Sequence, residues 1–253
     1  MTRGGSLSSY DNMTASDGVL TKSLIHVEKD NLAAAKTVRI ASTLFLMASS
    51  PDLSEKQRLL VANTVNRALC TGLSDRFEVV GPNEPADLTV HAVVTQAAPT
   101  NEYAAGASKV ASIVPTVLGS PIPVPRLPIG LGSLTLEAEA VDRTGRQQAA
   151  MLWARGADSF TTGATMSKAG DAYELANAFG SDFSQLLVTG ATPFGTMPGM
   201  PSLQKIGTSL GNEQRYMACE AFGRAPGIPG MIAGKVGLPP EWSDDGAPPA
   251  VAP

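Results

Sequence analysis

The chain has 253 residues, 43% of them hydrophobic, with 25 glycines, 19 prolines, only 5% aromatics and a formal charge of −4. That length supports one sizeable core, and the Gly/Pro content points to long irregular segments around it. The acidic balance, without any Lys/Arg cluster, excludes a phosphate-backbone binder and so a nucleic-acid partner. No stretch approaches the roughly 20 apolar residues of a membrane-spanning helix, and the opening MTRGGSLSSYDNMTASDG lacks the apolar core of a secretion signal.

In chain order, residues 1–22 are small and polar and predict an irregular arm. The segment 36–48, KTVRIASTLFLMA, is β-branched and apolar and predicts a buried strand. A helix follows. Ser54 is positioned to cap it, Gln57 completes a capping box, Leu59, Ala62, Val65, Leu69 and Leu73 form its apolar stripe, and Gly72 marks its end. Two strands are expected at 77–80 and 86–96, joined by the turn residues GPNEP. The apolar stretch 104–132 is compatible with a helix up to Pro115. Beyond it, SPIPVPRLPIGLG lacks the backbone donors of a helix or central strand. Within 104–132, Tyr103 just before it and Val110, Ile113 and Val114 are candidate interaction residues. A hairpin is expected at 133–156 and a second amphipathic helix at 169–190, with Ala172, Leu175, Ala176, Phe179, Phe183, Leu186 and Leu187 on one face. After Thr192 only SLQKIGTSLGNEQRYMACEAFG holds a helical turn or two.

The fold class is α+β: a mostly antiparallel sheet with two amphipathic helices packed on one face, an irregular N-terminal arm and a long Gly/Pro-rich C-terminal tail. The expected division is an arm over 1–35, a sandwich domain over 36–190 and an extension over 191–253.

The hairpin carries the sharpest question. DRTG (142–145) suits a type I turn followed by a left-handed glycine, which pairs Asp142 with Arg146. Counted from there, Ala140 faces Gln148, Ala138 faces Ala150 and Leu136 faces Leu152 on the apolar side. Glu139 then faces Ala149, Glu137 faces Met151 and Thr135 faces Trp153 on the other. Two carboxylates two residues apart point the same way, which suits acid/base chemistry. The stronger reading is a solvated sheet face tolerant of Glu→Gln changes, partly covered near Trp153 by another segment or subunit.

Other chemistry is not legible. His26 and His91 are far apart and lack a ligand motif, so neither a metal nor a cofactor is expected. There is no G-x-S-x-G elbow, and GLGSLT has no strand before it and no helix after it. Cys70 borders the first helix's stripe and Cys219 lies in the tail. They are unrelated thiols in a reducing compartment, or a bridge between tail and core in an oxidising one.

Three stretches carry a family resemblance: GSLSSYDNM, then LSEKQRLLVANTVNRALCTGLSDRFEVVGPNEPADLTVHAVVTQ, and GSLTLEAEAVDRTGRQQAAMLWARGAD. In order, over roughly residues 4–190, the chain resembles an uncharacterised Gram-negative bacterial lipoprotein family, domain of unknown function 3313. Its Glu-Ala-Glu hairpin motif is matched by Glu137, Ala138, Glu139, Asp142 and Gly145, with Thr144 in the turn. The family's lipidated cysteine is absent from this sequence, Gly5-Ser6-Leu7 stands where its opening motif falls, and the tail beyond Thr192 has no counterpart. The resemblance implies a periplasmic, outer-membrane-associated protein attached peripherally through a lipid anchor, without known activity or assigned functional residues.

The leading expectation is therefore a non-enzymatic envelope protein that binds other envelope proteins or itself. The alternative is a small-molecule or glycan binder, with Tyr103 and Trp153 as stacking surfaces. A hydrolase using Glu137 and Glu139 comes third.

Overall fold

A computed structural model describes residues 3–46, 50–117, 126–195 and 202–248. Strands β1 (Thr14–Ala15) and β2 (Thr21–Val27) and helix α1 (Lys29–Ala34) come first. Residues 21–34 are thus regular structure, not part of an irregular arm. The polar residues Thr21, Ser23 and His26 of β2 hide its alternation. The expected strand at 36–48 is present as β3 (Thr37–Ile40) and β4 (Leu44–Phe45), two segments running along the same neighbour. At the break, the Asn66 carboxamide oxygen accepts from Thr43 N (3.0 Å) and Oγ1 (2.7 Å).

Helix α2 (Glu55–Leu73) begins at the expected capping box: Gln57 N donates to Ser54 Oγ and Ser54 N donates to Gln57 Oε1. Ala62, Val65, Leu69 and Leu73 are buried, whereas Leu59 is 63% exposed and lies off the stripe. The helix ends at Leu73, one residue beyond Gly72, with Ser74 as its C-cap. β5 (Glu78–Val79), β6 (Leu88–Ala98), α3 (Glu102–Val117), the hairpin β7 (Ser133–Asp142) and β8 (Gln147–Gly156), and α4 (Gly170–Thr189) complete the core. α3 runs on through Pro115, two residues further than expected.

The sheet order is β1-β2-β8-β7-β6-β3-β5, with β4 also on β6. β1 to β6 along that path are antiparallel, while β3, β4 and β5 pair in parallel. β5 and β6, expected as neighbours across a turn, are separated by β3, because α2 acts as a crossover between parallel β3 and β5. α2 and α4 pack on each other and on one sheet face. Their crossing is close: a Cβ at Gly180 would lie 2.3 Å from Ala68 Cβ, and one at Gly72 2.5 Å from Ser184 Oγ. All seven apolar residues expected on α4 are buried in the core beneath. Phe179 stacks on Phe183 and meets Trp153 edge-on at 5.7 Å between centroids.

The C-terminal segment contains α5 (Leu203–Ser209), α6 (Met217–Glu220), α7 (Gly227–Val236) and a 3-10 turn at Pro240–Trp242. α7 had no sequence signal, since Gly227, Gly230, Gly234 and Pro229 all speak against a helix. Cys70 and Cys219 are disulfide-bonded with their Cα atoms 5.8 Å apart, and both are fully buried. The bridge ties α6 to α2 across a sequence separation of 149 residues. Closing a loop of that length stabilises by up to about 5 kcal/mol in the chain-entropy model. Denaturant unfolding with and without reductant tests this. The reduced protein should unfold at clearly lower denaturant, and protease should release residues beyond 202 before it degrades the core. An unchanged midpoint, with two titratable thiols in oxidised unfolded protein, contradicts it.

Candidate functional site

The hairpin closes as expected: Asp142 N donates to Arg146 O (2.9 Å), and Gly145 is left-handed at φ 80°. The register beyond it differs. Val141 pairs with Gln147 but Ala140 pairs with Ala149, so Gln148 is an extra residue in β8, a β-bulge. Every later partner is displaced by one: Glu139 faces Ala150, Glu137 faces Leu152 and Leu136 faces Trp153. Trp153 and Met151 therefore lie on the helix side, both fully buried, and Trp153 Nε1 donates to Asp182 Oδ2 (2.8 Å). Trp153 is core and offers no stacking surface to a ligand.

The carboxylates are not solvated either. Glu137 is 1% exposed and Glu139 is 7% exposed. They are covered by residues 4–10, whose alternate members turn donors toward them. Glu137 accepts from Gly4 N (2.6 Å), Ser6 N (2.9 Å), Ser6 Oγ (2.5 Å) and Tyr10 OH (2.6 Å). Glu139 accepts from Ser8 N (2.8 Å), Ser8 Oγ (2.6 Å) and Gln147 Nε2 (2.7 Å). Leu7 is buried between these contacts in sequence, and the Arg3 guanidinium lies 5.1 Å from the Tyr10 ring centroid. The arm's two-residue period matches that of Glu137 and Glu139. The signal was present in Gly4, Ser6, Ser8 and Tyr10, but nothing in a single sequence pairs that period with a strand more than 120 residues away.

Burial alone would raise the Glu137 pKa, but the donors from Ser6, Tyr10 and Gly4 more than offset it and hold the carboxyl below its ordinary 4.5. Burial and the bond to Glu137 push the Tyr10 hydroxyl up. A general acid near neutral pH needs the opposite shift at its carboxyl. These groups form a staple between arm and sheet, and their lone pairs are already engaged.

The remaining expected surface residues fall on α3. Tyr103 is 89% exposed and Val110 64% exposed. Ile113 and Val114 lie in the same helix, their side chains outside the described residues. α7 is joined to α3 where Lys109 Nζ donates to Lys235 O (2.9 Å). Ile228, Ile232 and Val236 recur every fourth residue of α7, and all three are exposed.

Two buried ion pairs, absent from the sequence reading, fix loops near this end. Arg67 of α2 binds Asp244 through both nitrogens, Nη1 to Oδ1 at 2.8 Å, and Tyr173 OH donates to Asp244 Oδ2 (2.7 Å). Burial opposes ionisation of Asp244, but Arg67 lowers its pKa overall. Arg126 likewise binds Asp171 through both nitrogens, pinning residues 126–132 to the start of α4, where Gly132 N also donates to Asp171 Oδ2 (2.7 Å). Among the described residues no group of three or more His, Cys, Asp or Glu is arranged to hold a metal ion, and no helix is long and apolar enough to cross a membrane.

Glu137→Gln tests the staple. An amide offers one acceptor oxygen and turns an NH2 toward the arm's donors, so the expected loss is roughly 1.5–3 kcal/mol. Because the folded carboxyl titrates below 4.5, its contribution is present above that pH and is lost as pH falls through the folded value. Urea unfolding across pH should show wild type losing an advantage in acid that the variant never had. Equal stability of both proteins at every pH overturns the staple.

The model of a protein family of unknown function, DUF3313, matches residues 2–183. No curated protein matches the chain significantly. Solved structures with similarity include a PelC dodecamer from Paraburkholderia phytofirmans, 8% identical over 67% of this chain and 98% of that one, with a TM-score of 0.40. Another is a DUF4136 family protein from Bacteroides thetaiotaomicron, 14% identical over 72% of this chain and all of that one (100%), with a TM-score of 0.32. The chain belongs to the DUF3313 family.

Proposed function

We propose that this DUF3313 member is a non-enzymatic cell-envelope protein, periplasmic and outer-membrane-associated, that works by binding another protein or a second copy of itself. The observation that carries this reading is the exposed stripe Ile228, Ile232 and Val236 on α7, a helix that Lys109 ties to α3, where Tyr103 and Val110 are also exposed. Spacing of four places the three side chains along one face of the helix. A helix presenting such a face to water gains by covering it with a partner. Engagement of Glu137 and Glu139 by the arm supports the non-enzymatic part, since it removes the carboxylate pair that a hydrolase would have used.

The Cys70–Cys219 bridge supports the envelope location. Such bonds persist in the periplasm and are reduced in the cytosol. Attachment through a lipid is what the resemblance adds to this reading.

Crosslinking in envelope extracts, paired with light scattering of purified protein, tests it with Ile228→Ser/Ile232→Ser. Wild type should yield a stoichiometric protein partner or a defined oligomer, and the double variant should lose it while unfolding at the same temperature. Monomeric wild type that recovers no protein partner, or that recovers a defined glycan instead, overturns the proposal.

A further inference from the structure

A second feature of the C-terminal segment faces inward. Between α2 and α4 on one side and α5 and α7 on the other runs a groove of about 670 Å³. That lies within the range of small-molecule sites, about 300–1,000 Å³. Ala68, Pro226, Met231 and Leu238 give its walls apolar surface, between polar side chains such as Tyr173 and Asn177. α7 contributes Gly227, Gly230 and Gly234 to the wall, beside the side chains of Met231 and Lys235. At Gly234 an added Cβ meets nothing within 4 Å. At Gly227 and Gly230 an added Cβ would instead meet Leu210 O at 2.8 Å and Pro226 Cβ at 2.4 Å, so the open stretch of the groove along α7 is at Gly234.

Its charges are unbalanced in one direction. Among the described residues, Lys205 from α5 and Lys235 from α7 line it against the carboxyl of Glu174 on α4, with Lys109 of α3 engaged beside them through its bond to Lys235 O (2.9 Å). Arg67 also reaches the lining, but Asp244 neutralises it through a bidentate pair. Lys205 Nζ is held by Ser181 Oγ at 2.8 Å, which keeps a cation on the groove's edge.

We infer that this groove binds a free single-chain amphiphile, its aliphatic chain passing α7 at Gly234 and its acidic head group meeting Lys205 and Lys235. The apolar walls would shelter the chain from water, and the lysine excess complements the head. Burial pushes the Glu174 pKa up to about 7, against the lowering effect of the Gly163 N–H, Arg126 and Lys109, with Asp171 also raising it. At neutral pH the one opposing carboxyl is thus substantially uncharged, and it can donate to the head.

Fluorescence titration with dansyl-labelled undecanoic acid on the intact, disulfide-bonded chain tests the assignment. Saturable one-to-one binding is expected, with the alcohol of the same chain length and label binding at least about tenfold more weakly, a difference of about 1.4 kcal/mol. Gly234→Leu should fill the groove and reduce acid binding by at least about tenfold without lowering the unfolding temperature. Lys205→Glu provides an independent arm: it should weaken the acid and leave the alcohol unchanged. Absence of saturable binding overturns the site. Undiminished binding to a folded Gly234→Leu variant, or displacement of the probe only by anionic lipid vesicles, also overturns it. Equal affinity for acid and alcohol, or indifference of the acid to Lys205→Glu, overturns the acidic head group.

Discussion

The architecture of the sheet depends on one aspartate and the extra residue it holds. Asp142 Oδ1 accepts from Thr144 N (2.8 Å), Thr144 Oγ1 (2.6 Å) and Arg146 N (3.0 Å), which sets the turn. Its Oδ2 accepts from Gln148 Nε2 (2.7 Å), and Asn31 Nδ2 donates to the other end of that amide at 2.8 Å. The Thr144 hydroxyl foremost, with these other donors, lowers the Asp142 pKa to about 2. A bulge leaves its extra residue outside the ladder, so it persists only where that residue's polar groups find partners elsewhere. Here Gln148 finds them on both sides: its carbonyl accepts from Glu28 N (2.8 Å) just before α1. The turn, the bulge and the α1 junction are one hydrogen-bonded unit.

Displacing β8 by one residue exchanges its two faces, because side chains alternate along a strand. Met151 and Trp153 move under the helices, where Phe179 and Phe183 provide aromatic packing. Ala150 and Leu152 move to the side of Glu137 and Glu139. That second face becomes an apolar floor with two carboxylates standing in it. Such a face tolerates burial only when each carboxylate is hydrogen-bonded. The arm supplies the donors: its backbone and hydroxyl groups reach both acids, and Leu7 adds apolar cover. Sheet and arm are consequences of the same bulge.

What was legible in the sequence divides along that line. The Ser54–Gln57 capping box, the buried face of α4 and the turn at Asp142 are local patterns, and each stands in the structure where its residues place it. The Cys70–Cys219 bridge is the expected pairing, with two reduced thiols as its alternative, and the bond between α6 and α2 bears it out. The face of Trp153 was misassigned because a bulge inserts one residue without changing the local composition, whereas Glu137 lies on the face expected of it and is covered there by the arm instead of solvent. β2 was missed because Ser23 and Thr21 occupy core-side positions of a strand against β8. Ser23 is fully buried opposite Trp153, where a large side chain leaves room only for a small one. Arg67 and Asp244 are 177 residues apart, and neither type of residue is expected inside a core.

The same distant contacts explain why a groove exists at all. A Gly/Pro-rich segment has little side-chain surface of its own to bury, so it does not collapse onto the helices along its whole length. It is held at separate points instead. Cys219 fixes α6 to α2, Asp244 joins Arg67 and Tyr173, and Glu241 Oε1 accepts from Gln57 Nε2 (2.7 Å) and Ser167 Oγ (2.6 Å). A buried ion pair contributes little net stability against apolar packing of the same volume, yet removing one partner is costly. Its effect here is positional, since it admits one seating of the chain. Between those anchors α7 spans the distance with open space at Gly234, and that space is bounded by rigid elements on either side. The anchoring that holds the segment in place therefore also keeps the groove open.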